Sequence, residues 1–129
     1  MAVAGTFTRA DLEAFDAARS VAIRSGEAHA FTRVWLVVVR DRVYVRSWND
    51  KPSGWYRAFL ADPSGTARLG RQEWHVRATP AAGARIRKAV TAALSTKYDS
   101  KAERKWAVGF AEPGREATTL ELIPARRQG

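Results

Sequence analysis

The segment RVWLVVVR, residues 33–40, constrains the fold most, because it contains six apolar residues without a polar interruption. Successive side chains of a strand point to opposite faces, so a strand of this kind must be covered on both faces. Asp41 and Arg42 then turn the chain toward a second strand that begins at Val43. Neither is the glycine that two-residue hairpins prefer, so a hairpin is predicted while its turn type stays open.

The second strand opens a segment, residues 43–57 (VYVRSWNDKPSGWYR), that joins a strand, a loop and an aromatic restart. Alternation predicts a core face with Val43 and Val45 and an opposite, aromatic-basic face formed by Tyr44, Arg46 and Trp48. Turn-forming residues end the strand, and the chain then restarts at once with Trp55, Tyr56 and Arg57.

Polar donors and aromatic rings meet in this segment, which favours a small-ligand site. Arg46, Ser47 and Lys51 supply a guanidinium, a hydroxyl and an ammonium group, a set suited to a phosphate beneath a flat ring. Two alternatives stay open: cation–π pairs on an exposed sheet face, and a Trp55 that plugs the core. Because the hairpin would bring Arg33 beside Arg46, the candidate site comprises Arg33, Arg46, Ser47, Lys51, Trp55, Tyr56 and Arg57.

Alternating apolar and polar residues predict further strands along the chain. Besides the hairpin, strands are predicted at residues 20–24, 66–69, 72–79 and 117–123, with a loop at residues 25–32. Gly70 and Arg71 turn the chain between the two middle strands. Trp106, Val108 and Phe110 also alternate, and they indicate either a short strand or an anchored loop.

Two main helices are predicted. Thr8, followed three residues later by Asp11, indicates the N-cap of a first short helix. Thr79 and Pro80 indicate the start of a second helix, which carries an apolar stripe of Ile86, Val90, Leu94 and Tyr98. A helix of one or two turns is predicted at residues 55–61, and a polar connector at residues 99–105.

These elements predict an α+β protein in which about six strands, mostly in hairpin order, form an antiparallel barrel or a curled sheet. The 129 residues suit one domain with one core. The basic C-terminal residues 125–129 are predicted to fray.

The charge of the chain favours an anionic partner. The formal net charge is +9 and the pI is about 10.8, and only five of the 22 basic residues are lysines. Charge alone leaves open a phosphorylated cofactor, nucleic acid or a membrane surface. Nucleic acid would use basic residues of the second main helix and the tail, namely Arg85, Lys88, Lys97, Arg126 and Arg127, which otherwise form solvated surface.

Several function classes lack their sequence signatures. With no cysteine and only two histidines, His29 and His75, a metal site is disfavoured. There is no G-x-S-x-G, G-x-G-x-x-G or P-loop motif, and no catalytic side chain is singled out. The sequence offers no basic leader before an apolar run and no apolar stretch of about 20 residues, so a cytoplasmic protein without membrane contact is expected.

The order of the motifs resembles the domain of unknown function 2255 family. The resemblance runs from Asp11 to Pro124 and rests on WLVVV, VYVRS, GWYR, a helix ending in KYDSK, and the closing ATTLELIP. That family is similar in turn to the flavin-binding split-barrel superfamily of pyridoxamine 5′-phosphate oxidases and deazaflavin-dependent reductases.

The resemblance implies a six-stranded antiparallel split barrel, usually a homodimer, with flavin mononucleotide (FMN) or a deazaflavin at the subunit interface. It implies that Arg33 and the loop residues Ser47, Lys51, Trp55 and Tyr56 approach the cofactor phosphates. The run HAFT before Arg33 departs from the Gly-Arg-Lys-Ser-Gly type of the reductases, which predicts a weaker phosphate grip there. Arg46 enters the site through strand alternation alone.

The first functional expectation is therefore a dimeric flavin- or deazaflavin-binding protein with oxidoreductase activity. A non-enzymatic basic module for nucleic acid or another polyanion is the alternative from a different class. A split barrel that has lost its cofactor and serves as an interaction partner is the third.

Overall fold

In the computed structural model, which describes residues 5–125, seven strands form one antiparallel sheet. The elements follow the chain as α1 (Arg9–Ala17), β1 (Val21–Ser25), β2 (Thr32–Val34), β3 (Leu36–Val39), β4 (Arg42–Arg46), α2 (Trp55–Ala61), β5 (Ser64–Leu69), β6 (Gln72–Pro80), α3 (Ala84–Lys97), α4 (Arg104–Gly109), α5 (Pro113–Glu116) and β7 (Thr119–Pro124).

The sheet curls into a nearly closed barrel. Its strand order is β2-β1-β5-β6-β7-β4-β3, and the two outermost strands are consecutive in the chain with only Trp35 between them. The strand predicted at residues 33–40 is therefore divided, because β2 pairs with β1 while β3 pairs with β4. The six-stranded α+β barrel is confirmed, with one of its strands bent at Trp35.

The barrel interior holds the first of two apolar clusters. Val43 and Val45 point inward as alternation predicts, and so do residues of β1, β3, β6 and β7: Ile23, Leu36, Val76, Leu120 and Leu122. Phe15 of α1 and Phe59 of α2 are buried in the same cluster, so both helices are anchored in the barrel core. The N-cap prediction is confirmed, because the Thr8 hydroxyl accepts a hydrogen bond from the Asp11 N–H at 3.0 Å.

The second cluster lies between the outer face of β3 and β4 and the helices α3 and α4. Val37 and Tyr44 meet the predicted helical stripe there, of which Val90, Leu94 and Tyr98 are buried. The 33–40 segment is thus covered on both faces. The aromatic-basic face of β4 is also covered, and Arg46 is only 3% exposed.

Helix α3 begins later than predicted. The strand β6 continues to Pro80, which pairs with Leu120, so Thr79 and Pro80 belong to the sheet. Gly83 is the actual N-cap. A long strand partner overrides the local helix-start signal here.

Other boundaries also differ from the predictions. The hairpin turn is Arg40-Asp41, one residue earlier, and both residues have positive φ angles of 52° and 65°, as a type I′ turn requires. β5 begins at Ser64 because it pairs with the extended β6. The segment predicted as a strand or loop at Trp106 is the helix α4, and the short α5 was not predicted.

None of the helices described in residues 5–125 combines the length and apolar character needed to cross a bilayer. Fraying was predicted for residues 125–129, of which residues 126–129 lie outside the described residues.

Candidate functional site

An aromatic cavity of about 360 Å³ opens where the bent strand, the end of β4 and the helices α2 and α4 meet. Four of the five tryptophans of the chain line it. We refer to it as the tryptophan cavity, and its lining consists of Arg33, Val34, Trp35, Arg46, Trp48, Trp55, Trp106 and Phe110. Its volume lies near the lower end of the range of small-molecule sites, about 300–1,000 Å³.

Trp35, the residue at which the strand bends, is held in place by Tyr98 at the end of α3. The two rings stack in parallel with centroids 3.9 Å apart and an interplanar angle of 1°. The buried Tyr98 hydroxyl accepts a hydrogen bond from the Leu36 N–H at 3.1 Å and lies 3.1 Å from the carbonyl oxygens of Arg19 and Leu36. Tyr98 covers one face of Trp35, the Phe110 ring contacts Trp35 at 5.8 Å, and Trp35 still lines the cavity.

Trp48 is fixed from several sides. The Arg115 guanidinium lies 3.5 Å from the centre of its ring, and Arg115 also donates to the Trp48 carbonyl oxygen at 3.0 Å. The rings of Trp106 and Phe110 contact Trp48 edge to face at 5.2 and 5.1 Å. Gly109 makes this packing possible, because a Cβ atom there would lie 2.8 Å from the Trp48 Cζ3 atom.

Arg46 contributes a buried positive charge to the cavity. Its Nε donates to the Thr119 hydroxyl at 2.9 Å, Nη1 to the Thr91 hydroxyl at 2.8 Å and the Phe110 carbonyl at 2.9 Å, and Nη2 to the Arg87 carbonyl at 3.0 Å. Burial lowers the pKa of Arg46 to about 10, so the guanidinium remains charged at neutral pH. Four of its five N–H groups are therefore engaged within the fold.

The structure brings three of the seven predicted site residues into the cavity lining: Arg33, Arg46 and Trp55. Ser47 is buried instead, where its hydroxyl accepts a hydrogen bond from the Asp50 N–H at 3.0 Å. Arg57 forms a two-point ion pair with Asp50 at 2.8 and 2.9 Å. These two residues shape the loop rather than the cavity wall.

The remaining two predicted residues lie outside the lining as well. Tyr56 packs half-buried against the barrel core. The Lys51 side chain is exposed and takes part in none of the side-chain hydrogen bonds or ion pairs found among residues 5–125. Its ammonium group is thus available to an anion near the mouth of the loop.

Four cavity aromatics were not among the seven predicted site residues: Trp35, Trp48, Trp106 and Phe110. Trp106 and Phe110 are four residues apart, a helical spacing that was present in the sequence beside the alternation that favoured a strand. Trp35 carries no local signal, because its role depends on the bend between β2 and β3. The Trp106 side chain remains 45% exposed at the rim.

The cavity lining contains aromatic rings and guanidinium groups but no carboxylate, histidine or hydroxyl among the described residues. Within residues 5–125 there is also no cluster of three or more His, Cys, Asp or Glu that could hold a metal ion. The arrangement is therefore suited to binding and orienting a flat, electron-rich or anionic group.

One protein family matches the part of the chain that contains the whole cavity. The family described as uncharacterized proteins conserved in bacteria (DUF2255) matches residues 11–122. The chain belongs to the DUF2255 family. The matched range contains every residue that lines the tryptophan cavity of this DUF2255 protein. No curated protein matches its sequence.

Solved structures share the fold at low sequence identity. A conserved hypothetical protein from Mycobacterium tuberculosis is 11% identical, with a TM-score of 0.64 over 95% of this chain and 82% of its own. A Listeria innocua protein whose name assigns it to the pyridoxamine 5′-phosphate oxidases is 10% identical, with a TM-score of 0.60 over 90% of each chain. A FAD-binding protein from Mesorhizobium loti is 14% identical, with a TM-score of 0.55 over 97% of this chain and 94% of its own. The DUF2255 chain therefore has the split-barrel fold.

Proposed function

We propose that this DUF2255 protein binds the ring system of a flavin or a deazaflavin in the tryptophan cavity and acts as an oxidoreductase. The observation that carries the proposal is a preformed cavity with four tryptophans and a buried guanidinium in its lining. Flat rings stack on aromatic side chains at about 1–3 kcal/mol for each contact. The names of two fold neighbours, one an oxidase of pyridoxamine 5′-phosphate and one a FAD-binding protein, support the same ligand class.

The positive charge of the cavity lining restricts the class of ligand further. Aromatic cages also bind quaternary ammonium groups, but such cages present no cations of their own. Here Arg33 and Arg46 line the cavity and Arg115 stacks on its Trp48 wall. A cationic ligand would be repelled, so a neutral or electron-rich ring is favoured.

The cavity lining also indicates which roles belong to the cofactor and which to the protein side chains. A bound flavin or deazaflavin supplies the hydride or electron chemistry. Trp35 and Trp48 orient the ring because each is backed by a fixed neighbour. The Arg46 charge stabilises additional electron density close to it, since it is buried and lacks a carboxylate ion pair among residues 5–125.

We also propose that a second copy of the chain covers the open side of the cavity. Trp106 lies half-exposed at the rim, and Val108 on the same helix is 70% exposed. Exposed large apolar side chains beside a ligand cavity are typical of interaction surfaces. Sedimentation at several concentrations tests this proposal: a dimer that Val108→Asp dissociates is expected, and a monomer at all concentrations would refute it.

Titration with riboflavin, FMN and a deazaflavin, followed by ring absorbance and tryptophan fluorescence, tests the main proposal. We expect micromolar binding, and Trp106→Ala should weaken it roughly tenfold through the loss of one stacking contact. Leu60→Ala is the matched control, because this apolar residue lies on α2, which also carries Trp55, is exposed and is absent from the cavity lining. Absence of binding, or equal affinities of the two variants, would overturn the assignment of the cavity.

Titrations with a flavin and with nucleic acid, each at two salt concentrations, distinguish flavin binding from the polyanion alternative. Binding to nucleic acid should fall steeply with salt, whereas ring stacking should persist. Arg85 and Lys88 on α3 are exposed and remain candidates for such contacts. Lys97 is not free for them, because its ammonium group donates to the carbonyl oxygens of Phe15 and Leu36 at 3.1 and 3.0 Å.

A further inference from the structure

The phosphate of an FMN-type ligand needs donors that the fold has not already used. Two of the predicted donors are engaged within the fold: Arg46 donates to four acceptors, and Arg57 donates to the Asp50 carboxylate. The Ser47 hydroxyl is buried and accepts from the Asp50 N–H. Arg33 is different, since its one described side-chain hydrogen bond goes from Nη1 to the Ser20 hydroxyl at 3.3 Å. Most of its N–H groups are left for a ligand.

Arg33 also connects the tryptophan cavity to a second one. A smaller cavity of about 190 Å³ lies on the outer face of β2, β1 and β5, and Arg33 lines both. We call the smaller cavity the Ala22 notch, and its lining consists of Ser20, Ala22, Phe31, Arg33, Arg68, Leu69 and Gly70. The two cavities therefore share Arg33 as a common wall residue.

Strand register explains why the notch exists. Ala22 on β1 pairs with Arg33 on β2 and with Arg68 on β5, so the three side chains form one row across the outer face. Adjacent strands are about 4.8 Å apart, which separates the backbones of the two arginines by roughly 10 Å. The methyl group of Ala22 leaves space between them, and two long arginine side chains can converge on one phosphate there.

The second arginine is also positioned to accept an anion. The Arg68 guanidinium lies 3.9 Å from the centre of the Phe31 ring, which orients it without using its N–H groups. Its Nη1 is 3.8 Å from the Glu73 carboxylate, beyond hydrogen-bond distance, and Glu73 reduces the local positive charge only in part. Arg24 packs over the same ring at 4.5 Å and adds a third guanidinium to this face.

We propose that the Ala22 notch binds the phosphate group of the ligand whose ring occupies the tryptophan cavity, through Arg33 and Arg68. The inference rests on the proposed flavin function. The chemical class is a phosphomonoester such as that of FMN, which both arginines grip through paired N–H groups. Arg68 on β5 thereby replaces the phosphate donors that the HAFT run and the 47–57 loop do not supply.

Comparison of FMN with riboflavin tests the notch, because the two ligands differ only by the phosphate. FMN should bind the wild-type protein at least tenfold more tightly, and Arg68→Gln should remove most of this difference while riboflavin affinity stays unchanged. Arg71→Gln is the matched control, since Arg71 is exposed in the adjoining turn and absent from the notch lining. Ala22→Leu, which fills the notch, should act like Arg68→Gln.

The outcomes separate the notch from the ring site. If FMN and riboflavin bind with equal affinity, the assignment of the notch as the phosphate site is refuted, whereas the assignment of the ring site remains. The notch is also refuted if the tighter binding of FMN persists in Arg68→Gln and Ala22→Leu but is lost in Lys51→Gln. That result would assign the phosphate to the exposed loop lysine. Failure of both flavins to bind would overturn the ring site and the notch together.

Discussion

The Tyr98→Phe substitution removes one hydroxyl from the place where the barrel strand bends. This hydroxyl accepts from the Leu36 N–H at 3.1 Å and lies 3.1 Å from the carbonyl oxygens of Arg19 and Leu36. Tyr98 is fully buried, and burial raises the pKa of its hydroxyl, so the group is neutral and donates throughout the physiological range. The phenyl ring of the variant can keep its stacking on Trp35.

The expected cost follows from the two lost hydrogen bonds. A buried donor left without an acceptor costs about 1–3 kcal/mol, so the free energy of unfolding should fall by about 2–3 kcal/mol. With a urea m-value of about 1–3 kcal/mol/M, the unfolding midpoint should drop by roughly 0.7–3 M. Riboflavin affinity should also fall, because the Leu36 backbone next to Trp35 loses its anchor.

Urea unfolding followed by circular dichroism and tryptophan fluorescence measures both effects. Tyr56→Phe is the matched control, since Tyr56 is half-buried and its hydroxyl makes none of the hydrogen bonds described in residues 5–125. A Tyr98→Phe protein whose stability matches that of Tyr56→Phe within about 0.5 kcal/mol would refute the role assigned to this hydroxyl.

Three further predictions test the packing and the charges. Gly109→Ala places a methyl group in steric overlap with the Trp48 ring and should cost about 1–3 kcal/mol in urea unfolding and weaken riboflavin binding, whereas Gly114→Ala, with no atom within 4 Å, should be neutral. Arg46→Met leaves several buried acceptors unpaired, and its thermal unfolding should show a loss of at least about 3 kcal/mol; unchanged stability would contradict the network. Burial lowers the pKa of Lys97 from its ordinary value of 10.5 to about 8, so between these pH values the unfolded chain binds more protons than the folded chain. The stability of the wild type relative to Lys97→Met should therefore rise as the pH increases from about 8 to 10.5, and a difference that does not change with pH would refute this.

Local sequence signals predicted elements whose determinants lie within a few residues. The Thr8 and Asp11 capping pair, the α2 helix at residues 55–61 and the Gly70-Arg71 turn are all present. The alternation of Val43 and Val45 against Arg46 is confirmed in direction. These features depend on side-chain periodicity and turn geometry, which neighbouring residues determine on their own.

The candidate site was predicted only in part, because its residues were judged by type and by proximity in sequence. Arg46 does line the cavity, but Thr91, Phe110 and Arg87, which lie 41–64 positions away, take up its donors. Ser47 and Arg57 carry suitable groups for a phosphate, yet both are engaged by Asp50 within the same loop. A sequence pattern identifies donors but does not reveal which acceptors the fold brings to them.

The sequence by itself determined the α+β class, the order of the strands along the chain and the inward face of the β4 hairpin strand. Tertiary structure alone decided where the 33–40 strand bends, because β2 and β3 pair with different partners and Trp35 between them stacks on Tyr98. It also decided that Trp106 of helix α4 and its C-cap residue Phe110 lie beside Trp48. The physical reason is that strand pairing and cavity walls join residues far apart in the chain, and the free energy of those contacts outweighs local preference.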